Sequence, residues 1–208
     1  MTNSGLSKRV DITGGSLRLL PHRMIARILL ALSPKAIVDG FEVRALNGTL
    51  TPHLITHLQS AIALIGDRDP RLLARIRKNV KRILLVSAGG PEYWPFANGF
   101  ILNTSFVTQS DIEFIALTIV HEATHARLWK RGLRYGSDAR ERLERICVDA
   151  ELAFASHLKD PSYFSTHVTK KLATPWWTPA QVAERRRRAR DILWPRWLVR
   201  AHAKIFDR

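Results

Sequence analysis

The segment from Ile112 to Ala126 constrains this chain more than any other. It is apolar on nearly every face of a helix, and a helix of that kind must be buried on all sides. Three ionisable residues nevertheless lie in its middle: His121, Glu122 and His125. Buried polar groups need hydrogen-bond partners or a metal. The segment therefore predicts a buried functional site as well as a core helix.

The sequence also marks both ends of this helix. Ser110 and Glu113 have the spacing of a capping box, in which each side chain accepts from the other's backbone N–H group. Gly132 follows the last residue that fits the helical pattern. We expect the helix to begin at Ser110 and to end at about Arg131.

The two histidines have metal-ligand spacing. Residues four apart on a helix differ by about 40° around its axis, so the two imidazoles project side by side. Two ring nitrogens can then reach one Zn²⁺ at roughly 2.0–2.1 Å. Glu122 lies at the edge of the same face, where a carboxylate can serve as the general base of a metalloprotease. The alternative is a pair of core histidines satisfied by hydrogen bonds alone.

A third ligand is expected on the next helix, predicted over about 138–158. Its apolar stripe contains two acids, Glu144 and Glu151, which are seven residues apart and almost eclipsed. Two buried carboxylates require a cation or a proton, unless each pairs with an arginine. The other residues of the stripe are Leu143, Cys147, Val148, Phe154, Ala155 and Leu158.

The two acids differ in their neighbours. Glu144 has the small Cys147 three residues on, which would let the two helices approach, whereas Glu151 is followed by the bulky Phe154. We therefore expect Glu144 to be the third ligand. Glu151 is then a residue that orients a histidine N–H group, or the alternative third ligand. Cys147 is interpreted as inert packing.

These residues resemble a known family. His121-Glu122-Ala123-Thr124-His125 on a buried helix, with a glutamate on the next helix, is similar to the zincin metallopeptidases, in particular the gluzincin branch. The resemblance covers about residues 99–158. It implies one Zn²⁺ held by His121, His125 and a downstream glutamate, with Glu122 as general base and a peptide or protein as substrate. It also implies an antiparallel edge strand for substrate docking, here Gly99 to Val107.

The rest of the chain predicts a mostly helical α+β domain over residues 1–208, with a small antiparallel or mixed sheet packed on the His-Glu-x-x-His helix. We expect a flexible leader over 1–18, helices over about 22–32, 52–65 and 71–80, a turn over 66–70, and strands over 83–86 and 99–107. Residues 37–50 give no clear pattern. Residues 176–208 are expected to form basic, Trp- and Arg-rich helices.

Composition leaves a second function open. The net charge of +15 favours anionic partners, so a non-catalytic basic zinc protein that binds nucleic acid or an anionic membrane surface is the alternative to a peptidase. The single cysteine excludes an internal disulfide framework. We expect a cytoplasmic protein, with a signal peptide or membrane-surface association as alternatives. Candidates for oxyanion stabilisation are Tyr135, His157 and His167.

Overall fold

The computed structural model describes residues 20–134 and 139–173, together with residue 183. The described part contains seven α-helices and one five-stranded sheet, so the predicted α+β, mostly helical fold is confirmed. The helices are α1 (Leu20–Leu32), α2 (Pro52–Arg68), α3 (Pro70–Asn79), α4 (Thr104–Gln109), α5 (Ile112–Lys130), α6 (Arg140–Ala155) and α7 (Pro161–Ala173). The strands are β1 (Lys35–Val38), β2 (Phe41–Ala45), β3 (Arg82–Val86), β4 (Glu92–Trp94) and β5 (Gly99–Asn103).

The sheet is mixed, with the strand order β1-β2-β3-β5-β4. The three central strands run parallel to one another, and each outer strand is antiparallel to its neighbour. Strands β3 and β5 approach closely where Gly99 pairs with Arg82. A Cβ atom at residue 99 would lie 2.5 Å from the Arg82 carbonyl oxygen, so this register requires glycine.

One face of the sheet forms the main core against α2 and α5. Its side chains include Phe41, Ile83 and Phe100, all with an exposed fraction of 1% or less. Helix α1 covers the other face, where Leu30 packs with Leu84. Strand β3 is covered on both faces, so its residues from Ile83 to Val86 are all buried. This explains why they form a continuous apolar run in the sequence. Helix α5 is thus held inside the molecule between the sheet and the other helices.

The strand predicted over 99–107 is wrong in its second half and in its place in the sheet. The backbone leaves the sheet at Asn103, whose side chain accepts hydrogen bonds from the N–H groups of Ser105 (2.8 Å) and Phe106 (3.3 Å). This cap starts the short helix α4. Strand β5 is an interior strand, not the edge strand that we expected. The antiparallel edge is β4, in a segment for which no strand was predicted.

The predicted capping box is also wrong. Ser110 ends α4, because its N–H group donates to the Phe106 carbonyl oxygen at 3.0 Å. Helix α5 begins at Ile112 after Asp111, and no side chain caps its first turn. The predicted C-terminal end is correct within one residue, since α5 ends at Lys130.

Two connections differ from the sequence expectation. The turn expected at 66–70 is almost absent, since α2 continues to Arg68 and a single residue, Asp69, separates it from α3. Asp69 donates its N–H group to Ile65, and its carboxylate accepts from the Leu72 N–H group at 2.8 Å. The region that gave no clear pattern forms a β1–β2 hairpin. Its turn residues Asp39 and Gly40 both have positive φ, as a two-residue hairpin turn requires.

In the part of the chain that the structure describes, no helix combines the length and apolarity needed to cross a membrane. The expected leader over 1–18 and the expected C-terminal helices over 176–208 lie outside the described residues.

Candidate metal centre

Helix α5 places its three ionisable residues deep in the protein. Thirteen of its nineteen residues are buried, as the apolar pattern predicted. His121, Glu122 and His125 have exposed fractions of 4%, 3% and 5%. Four-residue spacing on a regular helix brings the two imidazoles together, with ring centroids 4.7 Å apart.

Helix α6 packs against α5 and contributes the acids. The predicted stripe is confirmed: Glu144 and Glu151 are buried together with Cys147, whereas Glu141 and Arg145 on the other face are exposed. Glu144 and Glu151 have exposed fractions of 3% and 0%. The interface therefore buries two carboxylates beside two imidazoles.

Three ligand-type atoms converge at the centre of this interface. The Nε2 atoms of His121 and His125 are 3.0 Å apart. Glu144 Oε2 lies 3.3 Å from His121 Nε2 and 3.5 Å from His125 Nε2. The three atoms form a nearly equilateral triangle, and one comes from each of three different side chains.

The size of the triangle fits a zinc ion. Ligand atoms at roughly 2.0–2.1 Å from a tetrahedral Zn²⁺ are separated by about 3.3 Å. The observed separations of 3.0, 3.3 and 3.5 Å bracket that value. Two imidazoles and one carboxylate are also a donor set that zinc enzymes use while they keep a fourth position open. The residues present therefore fit a catalytic zinc ion.

The outward ring nitrogen of each histidine is held by a residue from α6. His121 Nδ1 is hydrogen-bonded to Glu151 Oε1, and Cys147 Sγ lies 3.2 Å from His125 Nδ1. Contacts of this kind set the ring orientation and leave Nε2 directed at the centre. Glu151 was predicted to have such a role. Cys147 was interpreted as inert packing, and its contact with His125 was not predicted, although this residue shares the buried stripe with both acids.

A second set of donors, His121, His125 and Cys147, has atoms within 4.8 Å of one another. The Cys147 thiol, however, lies beside His125 Nδ1, on the side of the ring that points away from Nε2. The two ring nitrogens project in different directions. An ion held by both Nε2 atoms is therefore out of reach of Cys147 in this arrangement, and the thiol suits support of the ring better than coordination.

Glu122 stands beside the triangle without joining it. Its Oε2 atom is buried and has no hydrogen-bond partner within the described residues. Burial raises the pKa of Glu122 to about 8; His121 opposes this shift, and Glu144 and Glu92 add to it. Glu92 belongs to the edge strand β4, which packs against α5. When it is ionised, a buried carboxylate with an oxygen that no described residue engages can accept a proton.

Charge in the cluster is shared between imidazoles and carboxylates. Burial favours neutral His121, but hydrogen bonds to Glu144 and Glu151 outweigh it and raise the pKa of His121 to about 10. Burial also opposes the charge on Glu144, yet the two histidines lower its pKa to about 2. Burial lowers the pKa of His125. The carboxylates of Glu144 and Glu151 thus stabilise a positive charge on His121.

The three predicted oxyanion candidates do not join the cluster. Tyr135 lies outside the described residues. His157 is exposed and lines a cavity on the other side of α5. His167 is exposed on α7, where its ring contacts that of Phe114 with centroids 4.5 Å apart and planes tilted by 55°. In the described ranges, neither histidine contacts His121, Glu122 or His125.

Comparison of the chain with protein-family models, with curated proteins and with solved structures gives no match.

Proposed function

We propose that this protein is a zinc-dependent metallohydrolase, and specifically a peptidase with Glu122 as its general base. The observation that carries the proposal is the triangle of His121 Nε2, His125 Nε2 and Glu144 Oε2, with edges of 3.0–3.5 Å. The buried Glu122 carboxylate beside it supplies a base. The same residues carry the resemblance to the gluzincin branch of the zincins.

Each residue has a part in the proposed reaction. Zinc bound here would act as a Lewis acid, polarising the scissile carbonyl and making a water molecule nucleophilic near neutral pH. Glu122 accepts a proton from the attacking water and transfers it to the leaving amine. Glu151 and Cys147 hold the rings of His121 and His125, so that both Nε2 atoms keep their direction during turnover.

The edge strand β4 supports a peptide as substrate. On its outer side, no further strand of the described residues pairs with β4. It packs on α5, the helix that carries Glu122, through Tyr93, whose ring centroid is 6.5 Å from that of Trp129. An extended peptide can add to such an edge through main-chain hydrogen bonds. We assign to β4 the docking role that the resemblance implied for Gly99 to Val107.

Metal content tests the first half of the proposal. The purified parent protein is expected to bind one zinc ion per chain, measured by plasma emission spectrometry after dialysis. His121→Ala removes one corner of the triangle and is expected to abolish stoichiometric zinc. His57→Ala, which changes a histidine on α2 outside the site, is the matched control and should keep it. A parent protein without zinc affinity would contradict the proposal.

Glu122→Gln tests the catalytic half. The amide has nearly the shape of the carboxylate but cannot accept the proton, so zinc should stay bound and hydrolysis of a protein substrate such as casein should fall by about 10²-fold or more. Equal hydrolysis by both proteins would overturn the role of Glu122. Stoichiometric zinc without hydrolysis in the parent would favour the non-catalytic zinc protein.

A further inference from the structure

A cavity of about 390 Å³ lies on the side of α5 away from the candidate metal centre. Its walls come from α3, α5 and α6. From α5 it is lined by Val120, Ala123, Thr124 and Arg127. At 100° per residue, the centre of these four positions lies about 130° around the helix axis from the two histidines. Its volume is in the range of small-molecule sites in proteins.

The lining of the cavity combines apolar side chains with charged ones. Ile76, Ala150 and Phe154 supply apolar surface, and Arg75 and Arg127 supply positive charge. Two acids also line it. Asp69 already accepts the Leu72 N–H group at 2.8 Å, and Asp149 is exposed. The lining is therefore amphipathic, with the two guanidinium groups as its cationic part.

Arg127 lacks the partners that a partly buried guanidinium group needs. Its Nε atom is buried without a hydrogen bond, and no carboxylate of the described residues forms an ion pair with it. Burial lowers the pKa of Arg127, and the like charges of Arg75 and Arg131 add to this effect. The unsatisfied Nε–H group belongs to a residue that lines the cavity, so an anion bound there could accept a hydrogen bond from it.

We propose that this cavity binds a small organic anion, whose acidic group pairs with Arg127 and Arg75 while its apolar part packs on Ile76, Ala150 and Phe154. Arginine recognises phosphate or carboxylate groups through paired N–H donors. The bound anion would rest against the reverse side of the two helices that carry His121, His125 and Glu144. The proposal does not depend on zinc or on hydrolysis.

Calorimetric titration of the full chain with phenyl phosphate tests this. Phenyl phosphate should bind at least tenfold more tightly than inorganic phosphate, which lacks the ring, and than phenol, which lacks the charge. No binding of phenyl phosphate would overturn the proposal. Equal binding of inorganic phosphate or of phenol would also overturn it, because charge alone or apolar surface alone would then explain the affinity.

Two variants locate the site. Arg127→Met keeps the apolar stem and removes the charge, so phenyl phosphate affinity should fall at least tenfold. Arg131→Met removes a neighbouring positive charge that does not line the cavity, and affinity should stay within about twofold. Equal losses in both variants would mean attraction to the general positive field and would overturn the proposal. His121→Ala should keep the affinity, and loss of binding there would place the ligand at the metal centre instead.

Thermal unfolding without ligand gives an independent readout. Removal of an unpaired, partly buried cation should raise the melting temperature of Arg127→Met by roughly 2–4 °C. A higher melting temperature after substitution is expected for a residue that serves ligand binding at a cost in stability. A lower melting temperature would show that Arg127 stabilises the fold itself, and the proposal would fail.

Discussion

Single side chains decide the chemistry of this protein at the α5–α6 interface. Glu144 and Glu151 lie on the same stripe of α6, yet they meet His121 at different nitrogen atoms. Glu144 lies 3.3 Å from Nε2, and Glu151 is bonded to Nδ1. This difference assigns them different parts in the proposed site, one as a ligand and one as a support for the ring.

Paired Glu→Gln substitutions separate the two parts. Glu144→Gln removes an anionic ligand and is expected to weaken zinc binding by more than 10²-fold. Glu151→Gln keeps an acceptor for the His121 N–H group, and the loss should be within the roughly 10- to 100-fold range typical of supporting residues. Competition with a chromogenic zinc chelator measures both affinities. A greater loss in Glu151→Gln than in Glu144→Gln would reverse the assignment.

Cys147 contacts His125, and its role as a support of that ring can be distinguished from a role as a metal ligand. Burial and the nearby Glu144 raise the pKa of its thiol in the metal-free protein, and its sulfur lies beside Nδ1 of His125, not beside Nε2. We expect the Co²⁺-substituted protein to lack a thiolate-to-metal charge-transfer band in its absorption spectrum, and Cys147→Ser to leave that spectrum nearly unchanged. A near-ultraviolet charge-transfer band that Cys147→Ser removes would show sulfur coordination instead.

At the scale of elements, charged side chains of β2 connect this strand to β3 and to helix α1. Glu42 on β2 pairs with Arg82 on β3 at 3.1 Å and also with Arg44. Arg44 in turn donates to the Leu30 and Ser33 carbonyl oxygens at the end of α1. These contacts join α1 to the sheet, and the sheet in turn supports α5.

The Glu42 contacts predict a pH-dependent stability. Burial opposes the charge on Glu42, but Arg44 and Arg82 outweigh it and lower the pKa below its usual value. A lowered folded-state pKa stabilises the fold above the unfolded-state pKa, and the effect is lost as pH falls through the folded value. In urea unfolding, Glu42→Gln should therefore cost up to about 1 kcal/mol at neutral pH, and this cost should shrink as the pH falls through the folded-state pKa. A deficit that does not change with pH would contradict this.

Gly99 predicts a steric effect on the sheet. In Gly99→Ala the new Cβ would lie 2.5 Å from the Arg82 carbonyl oxygen, so β3 and β5 must separate at a cost of about 1–3 kcal/mol. Gly48→Ala is the matched control, because no atom lies within 4 Å of its added Cβ. We expect that control to be neutral or slightly stabilising. Equal melting temperatures for the two variants would contradict the β3–β5 register.

Binding of the proposed metal would couple to the stability of the whole molecule. The candidate site joins α5 and α6, two helices that are distant in sequence from the sheet hairpin yet share the main core. A ligand that binds only the folded state stabilises all of it, by about 2.7 kcal/mol at a concentration 100-fold above its dissociation constant. Chelation of zinc should therefore lower the melting temperature of the parent in calorimetry and leave His121→Ala unchanged. Equal shifts in both proteins would contradict specific binding.

Local rules explain why much of the site could be predicted. The angle between residues four apart on a helix does not depend on the rest of the fold, so His121 and His125 had to project together. The apolar stripe of α6 likewise placed Glu144, Glu151 and Cys147 on one buried face. The general α+β class followed from the helical and strand periods for the same reason.

Tertiary packing decided what those rules leave open. Which oxygen meets which ring nitrogen depends on how α5 and α6 slide and rotate against each other, which no local pattern encodes. The edge position of β4 depends on pairing with β5, and its three residues are too few to show a period. The strand after Gly99 ended early because the Asn103 side chain capped α4. The paired histidines of α5 were therefore evident in the sequence, whereas the triangle they form with Glu144 required the folded molecule.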